Sequence, residues 1–238
     1  MEPLALTGRR VAILGGTSGI GLATAQTAAS LGAEVVIVGS RRETVDKALT
    51  TLPTTATGHA ADLTDEPTIG AVIDTIGTID HLAYTAGEPL TLVPLPDLDR
   101  ATAASFFALR YFGALATVRA AAPHLRDGGS VTLTTGTATD RPAPGWTLGA
   151  SLCGAMDALT RALAVELAPR LRVNAVKPGV IRSPMWSAPE AFYEQNAATV
   201  PLRRVGEVND VARAFVYCMT QPFATGTIIP VDGGALLA

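Results

Sequence analysis

A glycine-rich segment near the start of the chain, GGTSGIG at 15–21, has the composition of a phosphate-binding loop. It follows a short apolar run at 10–14 and precedes a stretch with helical periodicity. Glycines let the backbone turn tightly and approach a pyrophosphate, whose charge is stabilised by the positive end of the helix dipole. The segment therefore predicts a dinucleotide site, and its predicted contacts are Gly15, Thr17, Ser18, Gly19, Ile20 and Gly21.

The end of the second predicted strand indicates which dinucleotide is bound. Proteins that bind NAD in this way place a carboxylate there, which accepts hydrogen bonds from the ribose hydroxyls. Here Gly39 is followed by Ser40, Arg41 and Arg42, with no acidic residue. The Ser40 hydroxyl and the Arg41 guanidinium would bind a 2′-phosphate. We therefore predict NADP(H) as the cofactor; the alternative is that both arginines are solvated loop residues.

Short apolar runs alternate with longer segments of helical period along the whole chain, which predicts an α/β fold with a doubly wound parallel sheet. The predicted strands are 10–14, 34–38, 79–84, 130–133 and 171–176, with weaker candidates at 54–61 and 227–231. The predicted helices are 20–30, 44–52, 67–76, 98–125, 150–167 and 208–219. Loops at 88–96, 140–146 and 182–189 follow strand ends, where such sheets bind ligands.

Composition excludes several classes of protein. The chain has 238 residues, 48% of them hydrophobic and 16% charged, which is too apolar for a disordered protein. A formal net charge of −3 and the lack of basic runs argue against nucleic-acid binding. We expect no signal peptide, no membrane span, no metal site and a cytoplasmic location. No repeat or linker divides the chain, so a single domain over 1–238 is predicted.

Further motifs resemble those of the short-chain dehydrogenases/reductases. The glycine segment looks like the dinucleotide loop of that family, 178–181 looks like its PG segment, and 231–234 looks like its C-terminal signature. The resemblance covers nearly the whole chain and implies one Rossmann-type domain with a seven-stranded parallel sheet flanked by helices. It also implies further cofactor contacts, which are Asp62, Leu63, Thr85, Ala86, Gly87, Pro178, Gly179, Val180, Ile181 and Ser183.

The catalytic motif of that family is missing. Its members donate a proton from a tyrosine, and a lysine four residues later lowers the pKa of that tyrosine and holds the ribose. By register these positions are Gly149 and Cys153, and no tyrosine or lysine lies between 112 and 176. Thr135 stands in the position of the family's serine, and Arg110 in that of its helical asparagine. With Tyr84 at a strand end, these are the candidate catalytic residues.

The segment 183–204 corresponds to the family's substrate lid and contains Met185 and Trp186. Trp146 is expected on the opposite wall. These three residues predict a hydrophobic small-molecule substrate, unless the aromatic side chains fill an interface between subunits.

The sequence is compatible with three functions. The first is an NADP(H)-dependent oxidoreductase with a different proton path. The second is an inactive cofactor-binding sensor or partner subunit, and the third is a non-redox dehydratase or isomerase on the same scaffold. The persistence of the cofactor motifs favours the first, whereas the loss of the tyrosine and the lysine favours the second. The family resemblance also implies a homodimer or homotetramer.

Overall fold

The computed structural model describes residues 6–89, 92–186 and 188–238, and predictions for 1–5, 90, 91 and 187 lie outside these residues. The strands are β1 Arg10–Leu14, β2 Glu34–Gly39, β3 Thr57–Ala60, β4 Ile79–Tyr84, β5 Leu125–Thr134, β6 Arg172–Pro178, β7 Ile181–Arg182, β8 Gly206–Glu207 and β9 Ile228–Val231. The helices are α1 Gly19–Ser30, α2 Arg42–Leu49, α3 Glu66–Ile76, α4 Arg100–Phe107, α5 Ala114–Ala121, α6 Thr147–Glu166, α7 Glu190–Thr199 and α8 Val208–Thr220.

Seven parallel strands form the main sheet in the order β3-β2-β1-β4-β5-β6-β9. Side chains that alternate along β1 face two separate apolar layers. Val11 and Ile13 pack with the α1 and α8 side, whereas Ala12 and Leu14 pack with the α3, α5 and α6 side. Because both faces are covered, the strands are almost continuously apolar. The prediction of a doubly wound, seven-stranded Rossmann-type sheet is confirmed.

Strong local signals fix several helix starts. Asp65 caps α3 by accepting a hydrogen bond from the backbone N–H of Thr68, and Glu207 forms a reciprocal capping box with Asp210 at the start of α8. These polar contacts satisfy backbone donors that the helix itself leaves unpaired. They explain why the helices predicted at 67–76 and 208–219 agree with the structure to within one residue at each end.

Two segments differ from the prediction. The single helix predicted over 98–125 is instead α4 and α5 joined by a π-helical turn, Ala108–Gly113. Such turns insert an extra residue into a helix and are frequent at functional sites. The segment predicted as a lid loop contains α7, and β7 and β8 form a small separate pair. The loop predicted at 88–96 includes residues 90 and 91, and that at 182–189 includes 187, which lie outside the described residues.

A buried carboxylate, Asp80, ties together the amino-terminal ends of the central strands. It accepts hydrogen bonds from the backbone N–H of Arg10 and from the guanidinium groups of Arg9 and Arg126 at 2.8–2.9 Å. Burial by itself raises the pKa of Asp80, but these donors outweigh it and hold that pKa below its usual range. The cluster lies at the amino-terminal ends of the strands, away from the carboxyl-terminal ends where the ligand site is predicted, so we assign it a structural role.

Two helical stretches, Arg100–His124 and Thr147–Glu166, are long and apolar enough by composition to cross a membrane. Of the apolar windows in these two stretches, 28% and 50% respectively are buried inside the fold. Core helices of globular proteins meet the same criterion, so this finding is weak evidence for a membrane span. The expected cytoplasmic location stays a prediction.

Candidate active site

The glycine segment forms a tight turn between β1 and α1. The backbone N–H groups of Gly15 and Gly16 both donate to the carbonyl oxygen of Val38, at 2.9 and 3.1 Å. Gly15 has φ +87°, and a Cβ there would lie 2.5 Å from the backbone nitrogen of Ala86. A Cβ at Gly21 would overlap the carbonyl oxygen of Gly15. The turn therefore requires glycine at both positions and leaves a backbone cradle at the start of α1, which fits a pyrophosphate.

One end of the predicted cofactor site carries an unpaired cation. Arg41 precedes α2, and within the described residues its guanidinium has no hydrogen bond or ion pair. By contrast, the guanidinium of Arg42 pairs with Asp46 at 2.5 Å and donates to the carbonyl oxygen of Gly58 at 3.1 Å. The exposed side chain of Ser40 lies beside Arg41 in sequence. The Arg41 guanidinium is thus available to bind a ligand, whereas the Arg42 guanidinium is already bonded to other residues of the protein.

The other predicted cofactor contacts lie at the carboxyl ends of neighbouring strands. Thr85 follows β4 and bonds the carbonyl oxygen of Leu14 through both its backbone N–H and its hydroxyl, which joins β4 to β1. The backbone N–H of Gly179 donates to Val231 at 3.0 Å and so fixes the segment after β6. Asp62 is exposed after β3, and the hydrogen bonds from Thr64 hold the pKa of its carboxyl below its usual range.

A cavity of about 750 Å³ opens beside the cradle. Its lining includes many of the predicted site residues, which are Ile20, Arg110, Thr135, Trp146, Gly149, Cys153, Pro178, Gly179, Val180, Ile181, Ser183, Met185 and Trp186. The structure therefore brings together residues that are more than 160 positions apart in sequence. The cavity is large enough for a substrate next to a dinucleotide.

Aromatic side chains from three segments form one wall of the cavity. The rings of Trp146 and Trp186 have centroids 6.0 Å apart, so Trp146 lies on the same wall as Trp186 and not on the opposite wall as predicted. The rings of Trp186 and Phe192 lie 5.2 Å apart. Phe192 belongs to α7, the helix that the sequence did not predict. Tyr193, the next residue, is buried and stacks under the guanidinium of Arg182. These rings give the cavity an apolar surface in addition to the polar residues at the strand ends.

The positions of the family's tyrosine and lysine both face this cavity. Gly149 is buried there, and a Cβ added to it would lie 3.2 Å from the Trp146 ring. Cys153 also lines the cavity, and burial raises the pKa of its thiol to about 11. A neutral thiol is a poor nucleophile and a poor metal ligand. Cys153 therefore does not replace the missing lysine as a charged group.

We expect Cys153 to react slowly with iodoacetamide at neutral pH. With a thiol pKa of about 11, its thiolate fraction, and hence its alkylation rate, would be on the order of 10²-fold below that of an ordinary cysteine. The rate should rise with pH up to the pKa of this thiol. Mass spectrometry of the folded protein measures this, and Cys153→Ser identifies the site. Fast alkylation at pH 7 would contradict the structure.

Thr135 follows β5 directly, and its hydroxyl points back towards α6. The hydroxyl lies 2.7 Å from a carboxylate oxygen of Asp157 and 3.0 Å from the carbonyl oxygen of Cys153, and it has one proton to donate to these two acceptors. Its oxygen keeps lone pairs that can accept a hydrogen bond from a molecule in the cavity. The Thr135 hydroxyl is therefore held in place by the fold and is also accessible to a ligand in the cavity.

The structure also places two buried charged residues that sequence reasoning missed beside Thr135. Lys177, near the end of β6, bonds Asp157 at 2.7 Å and Asp140 at 2.5 Å. Burial by itself lowers the pKa of Lys177, but the two carboxylates outweigh it and raise that pKa. A lysine inside an apolar strand needs such partners. The sequence signal that could have found this pair was Lys177 itself, which is one of only two lysines in the chain and stands at the end of an apolar strand.

Arg110 projects from the π-helical turn into the cavity. Its guanidinium donates to the carbonyl oxygen of Glu88, lies 3.8 Å from the carboxylate of that residue and packs against Gly87. Its Nε–H is buried without a hydrogen-bond partner among the described residues. Burial lowers the pKa of Arg110, but the group stays charged because arginine titrates far above neutral pH. Arg110 therefore brings a positive charge to the cavity lining.

The structure does not support Tyr84 as a proton donor. Its side chain is only 2% exposed and is not part of the cavity lining. The phenol donates a 2.6 Å hydrogen bond to the carbonyl oxygen of Leu109 in the π-helical turn, and burial raises its pKa above the ordinary value. Tyr84 therefore supports the turn that carries Arg110 and does not itself reach the cavity.

Comparisons with known proteins show which family this chain is similar to. The family model described as enoyl-(acyl carrier protein) reductase matches residues 15–235. The short-chain dehydrogenase/reductase ATR9 of Stachybotrys chlorohalonatus is 35% identical over 254 residues, which cover 98% of both chains. The structure of the MalC reductase/Diels-Alderase of Malbranchea aurantiaca superposes with a TM-score of 0.91 at 29% identity, covering 98% of both chains. A small-chain dehydrogenase in complex with NADPH superposes with a TM-score of 0.85 at 32% identity, covering 97% of this chain and 99% of the other.

Proposed function

Because the chain belongs to the short-chain dehydrogenase/reductase family, we propose that it is an NADP(H)-dependent oxidoreductase. It interconverts a carbonyl group and an alcohol on a hydrophobic small molecule, without the tyrosine and lysine that the family resemblance implies. One observation carries the proposal. The glycine cradle adjoins a cavity of about 750 Å³ whose lining combines the polar side chains of Thr135 and Arg110 with a cluster of aromatic rings.

The residues present fit the cofactor. The cradle of Gly15 and Gly21 has no room for a Cβ, and it lies at the start of α1, where the helix dipole favours a phosphate. The unpaired Arg41 fits a 2′-phosphate, which favours NADP(H) over NAD(H). A similar structure contains NADPH. When bound, this cofactor would supply or accept the hydride.

Thr135 and Arg110 are proposed to hold the reacting oxygen of the substrate. The Thr135 oxygen has lone pairs free, and the Arg110 guanidinium brings a fixed positive charge to the cavity. Negative charge develops on a carbonyl oxygen as hydride is added to its carbon. A preorganised cation stabilises that charge in a site from which water is excluded. Trp146, Met185 and Trp186 would bind the apolar part of the substrate.

Two alternatives remain as outcomes of the test. A cofactor-binding sensor or partner subunit is favoured by the neutral Gly149 and Cys153 at the family's catalytic positions. Non-redox chemistry is the other alternative, and the similar protein MalC is described as both a reductase and a Diels-Alderase. We also propose a homo-oligomer, for which exposed Val165, Phe112 and Leu115 offer an apolar surface on neighbouring helices.

Titration of the purified protein with NADPH and NADH, followed by calorimetry, tests the proposal first. A panel of hydrophobic ketones, aldehydes and quinones is then screened by loss of NADPH absorbance. Tight NADPH binding together with turnover supports the enzyme. Binding without turnover of any member of the panel supports the sensor. If neither nucleotide binds at millimolar concentration, the cofactor assignment is wrong.

A further inference from the structure

Four polar side chains form a continuous chain of hydrogen bonds from the cavity to solvent. The Thr135 hydroxyl lies 2.7 Å from Oδ1 of Asp157, the other oxygen of Asp157 lies 2.7 Å from Nζ of Lys177, and Nζ lies 2.5 Å from Oδ2 of Asp140. The side chains of Asp157 and Lys177 are 8% and 7% exposed, whereas that of Asp140 is 43% exposed. The two ends of the chain therefore differ: Thr135 lines the cavity, and Asp140 meets water.

We propose that these four hydrogen-bonded side chains are the proton relay of the enzyme and take over the role of the missing tyrosine and lysine. This inference rests on the proposed function. Asp157 and Lys177 do not line the cavity, so they act on the substrate only through the Thr135 hydroxyl. Thr135 is then the catalytic residue, and the two charged residues behind it are relay residues.

The proton balance can be followed in the direction of alcohol oxidation. The C–H bond of the alcohol breaks and its hydride goes to the oxidised nicotinamide cofactor, while the O–H proton moves to Oγ of Thr135. Thr135 passes its own proton to Oδ1 of Asp157. Lys177 gives one proton to Asp140, which releases it to water. The Asp157 carboxyl group then turns its O–H from the Thr135 side to Nζ of Lys177, which takes that proton. One proton enters the relay and one leaves it, and reduction of a carbonyl reverses each step.

The hydrogen bond from Thr135 to Asp157 already points in the required direction. Because the Thr135 hydroxyl has Asp157 as an acceptor, its oxygen presents lone pairs to the substrate hydroxyl. The charged and titratable groups that face the relay are few. Cys153 lies on the same helix as Asp157 and is neutral, and Arg110 approaches Cys153 from the π-helical turn. Within the described residues, Lys177 from β6 is the cation bonded to Asp157.

A purely structural ion cluster in the same fold offers a contrast. Asp80 is equally buried, but its partners Arg9 and Arg126 are arginines, which do not exchange protons at accessible pH. Among the described residues that line the cavity, none belongs to this cluster. The Thr135 chain differs in both respects, since lysine and carboxylates can exchange protons and one end is exposed to a ligand.

The test uses the intact protein with NADPH and whichever ketone, aldehyde or quinone the parent turns over. Asp157→Asn keeps the shape of the side chain but cannot accept the proton. We expect kcat to fall by about 10²–10³-fold. The solvent deuterium isotope effect on kcat should rise, because proton transfer becomes limiting, and the pH dependence of kcat should change. The dissociation constant for NADPH should stay within about threefold of the parent value, since Asp157 lies outside the cradle.

The conservative and control variants separate a relay from a structural role. Thr135→Ser should retain most of the activity, whereas Thr135→Val should lose it. Asp80→Asn removes an equally buried carboxylate and should lower the melting temperature while leaving the pH profile and isotope effect unchanged. If Asp157→Asn fails to fold, Asp140→Asn at the exposed end replaces it. That variant should turn over more slowly and recover as the concentration of imidazole buffer rises.

Each result decides between named outcomes. A parent-like kcat and pH profile in Asp157→Asn overturns the relay and leaves the oxidoreductase standing. So does a slow Asp140→Asn that buffer does not rescue. A parent protein that binds NADPH but turns over no member of the panel removes the oxidoreductase, and the relay with it.

Discussion

Arg41→Asp is expected to weaken NADPH binding by about 10- to 100-fold and to leave NADH binding unchanged or slightly improved. The guanidinium of Arg41 has no partner among the described residues, so a 2′-phosphate would satisfy it without breaking an existing ion pair. Two charge-assisted hydrogen bonds to a phosphate are geometrically specific. An aspartate would instead repel the 2′-phosphate and would accept hydrogen bonds from the ribose hydroxyls of NADH. Calorimetric titration of both nucleotides measures the change.

Arg42→Ala provides a matched control one residue away. Its guanidinium is bonded to Asp46 and to the backbone of Gly58, so its loss removes the same charge but not a free phosphate ligand. NADPH binding by Arg42→Ala should change by no more than about threefold, the size expected for a screened surface charge. Equal losses of NADPH and NADH affinity in Arg41→Asp would contradict the assignment of the 2′-phosphate to Arg41.

Most of the fold follows from periodicity because both faces of the sheet are covered. Apolar runs such as Val35 to Val38 have no other stable position than a strand between two helical layers. The π-helical turn at Ala108–Gly113 was not predictable in the same way. It depends on a tertiary contact, the hydrogen bond from Tyr84 to Leu109, between elements that are 25 residues apart. The helix α7 was missed because its residues alternate little between apolar and polar faces, so they read as a loop.

The site divides in a similar way. The cradle was predicted because its chemistry is local: glycines at Gly15 and Gly21 are needed wherever a backbone must turn and meet a phosphate. Thr135 was predicted, but its partners in the relay were missed because they come from α6, β6 and a loop, and no short motif contains them. Only the general rule that a buried charge needs a partner pointed to Lys177, and that rule does not name Asp157 or Asp140.

Arg110→Met is expected to lower kcat by about 10²–10³-fold while the protein stays as stable as the parent, or becomes more stable. Activity and stability are expected to change in opposite directions because the Arg110 guanidinium is incompletely hydrogen-bonded. Its Nε–H is buried without a partner, which costs stability in the folded protein. Its ionic partner Glu88 is half exposed, so removing the guanidinium leaves no uncompensated charge in the interior. The turn itself keeps the hydrogen bond from Tyr84.

Turnover of the probe carbonyl and the midpoint of thermal unfolding are measured together for Arg110→Met and for Arg119→Met. Arg119 lies one helix further on, and its guanidinium is exposed and paired with Glu66. That control should keep both kcat and the melting temperature close to the parent values. If the unsatisfied donor of Arg110 is kept for function, the side chain gives activity when present and stability when removed. If Arg110→Met instead loses stability and keeps its turnover, then Arg110 serves the packing of the π-helical turn, and the reacting oxygen must be held by Thr135 alone.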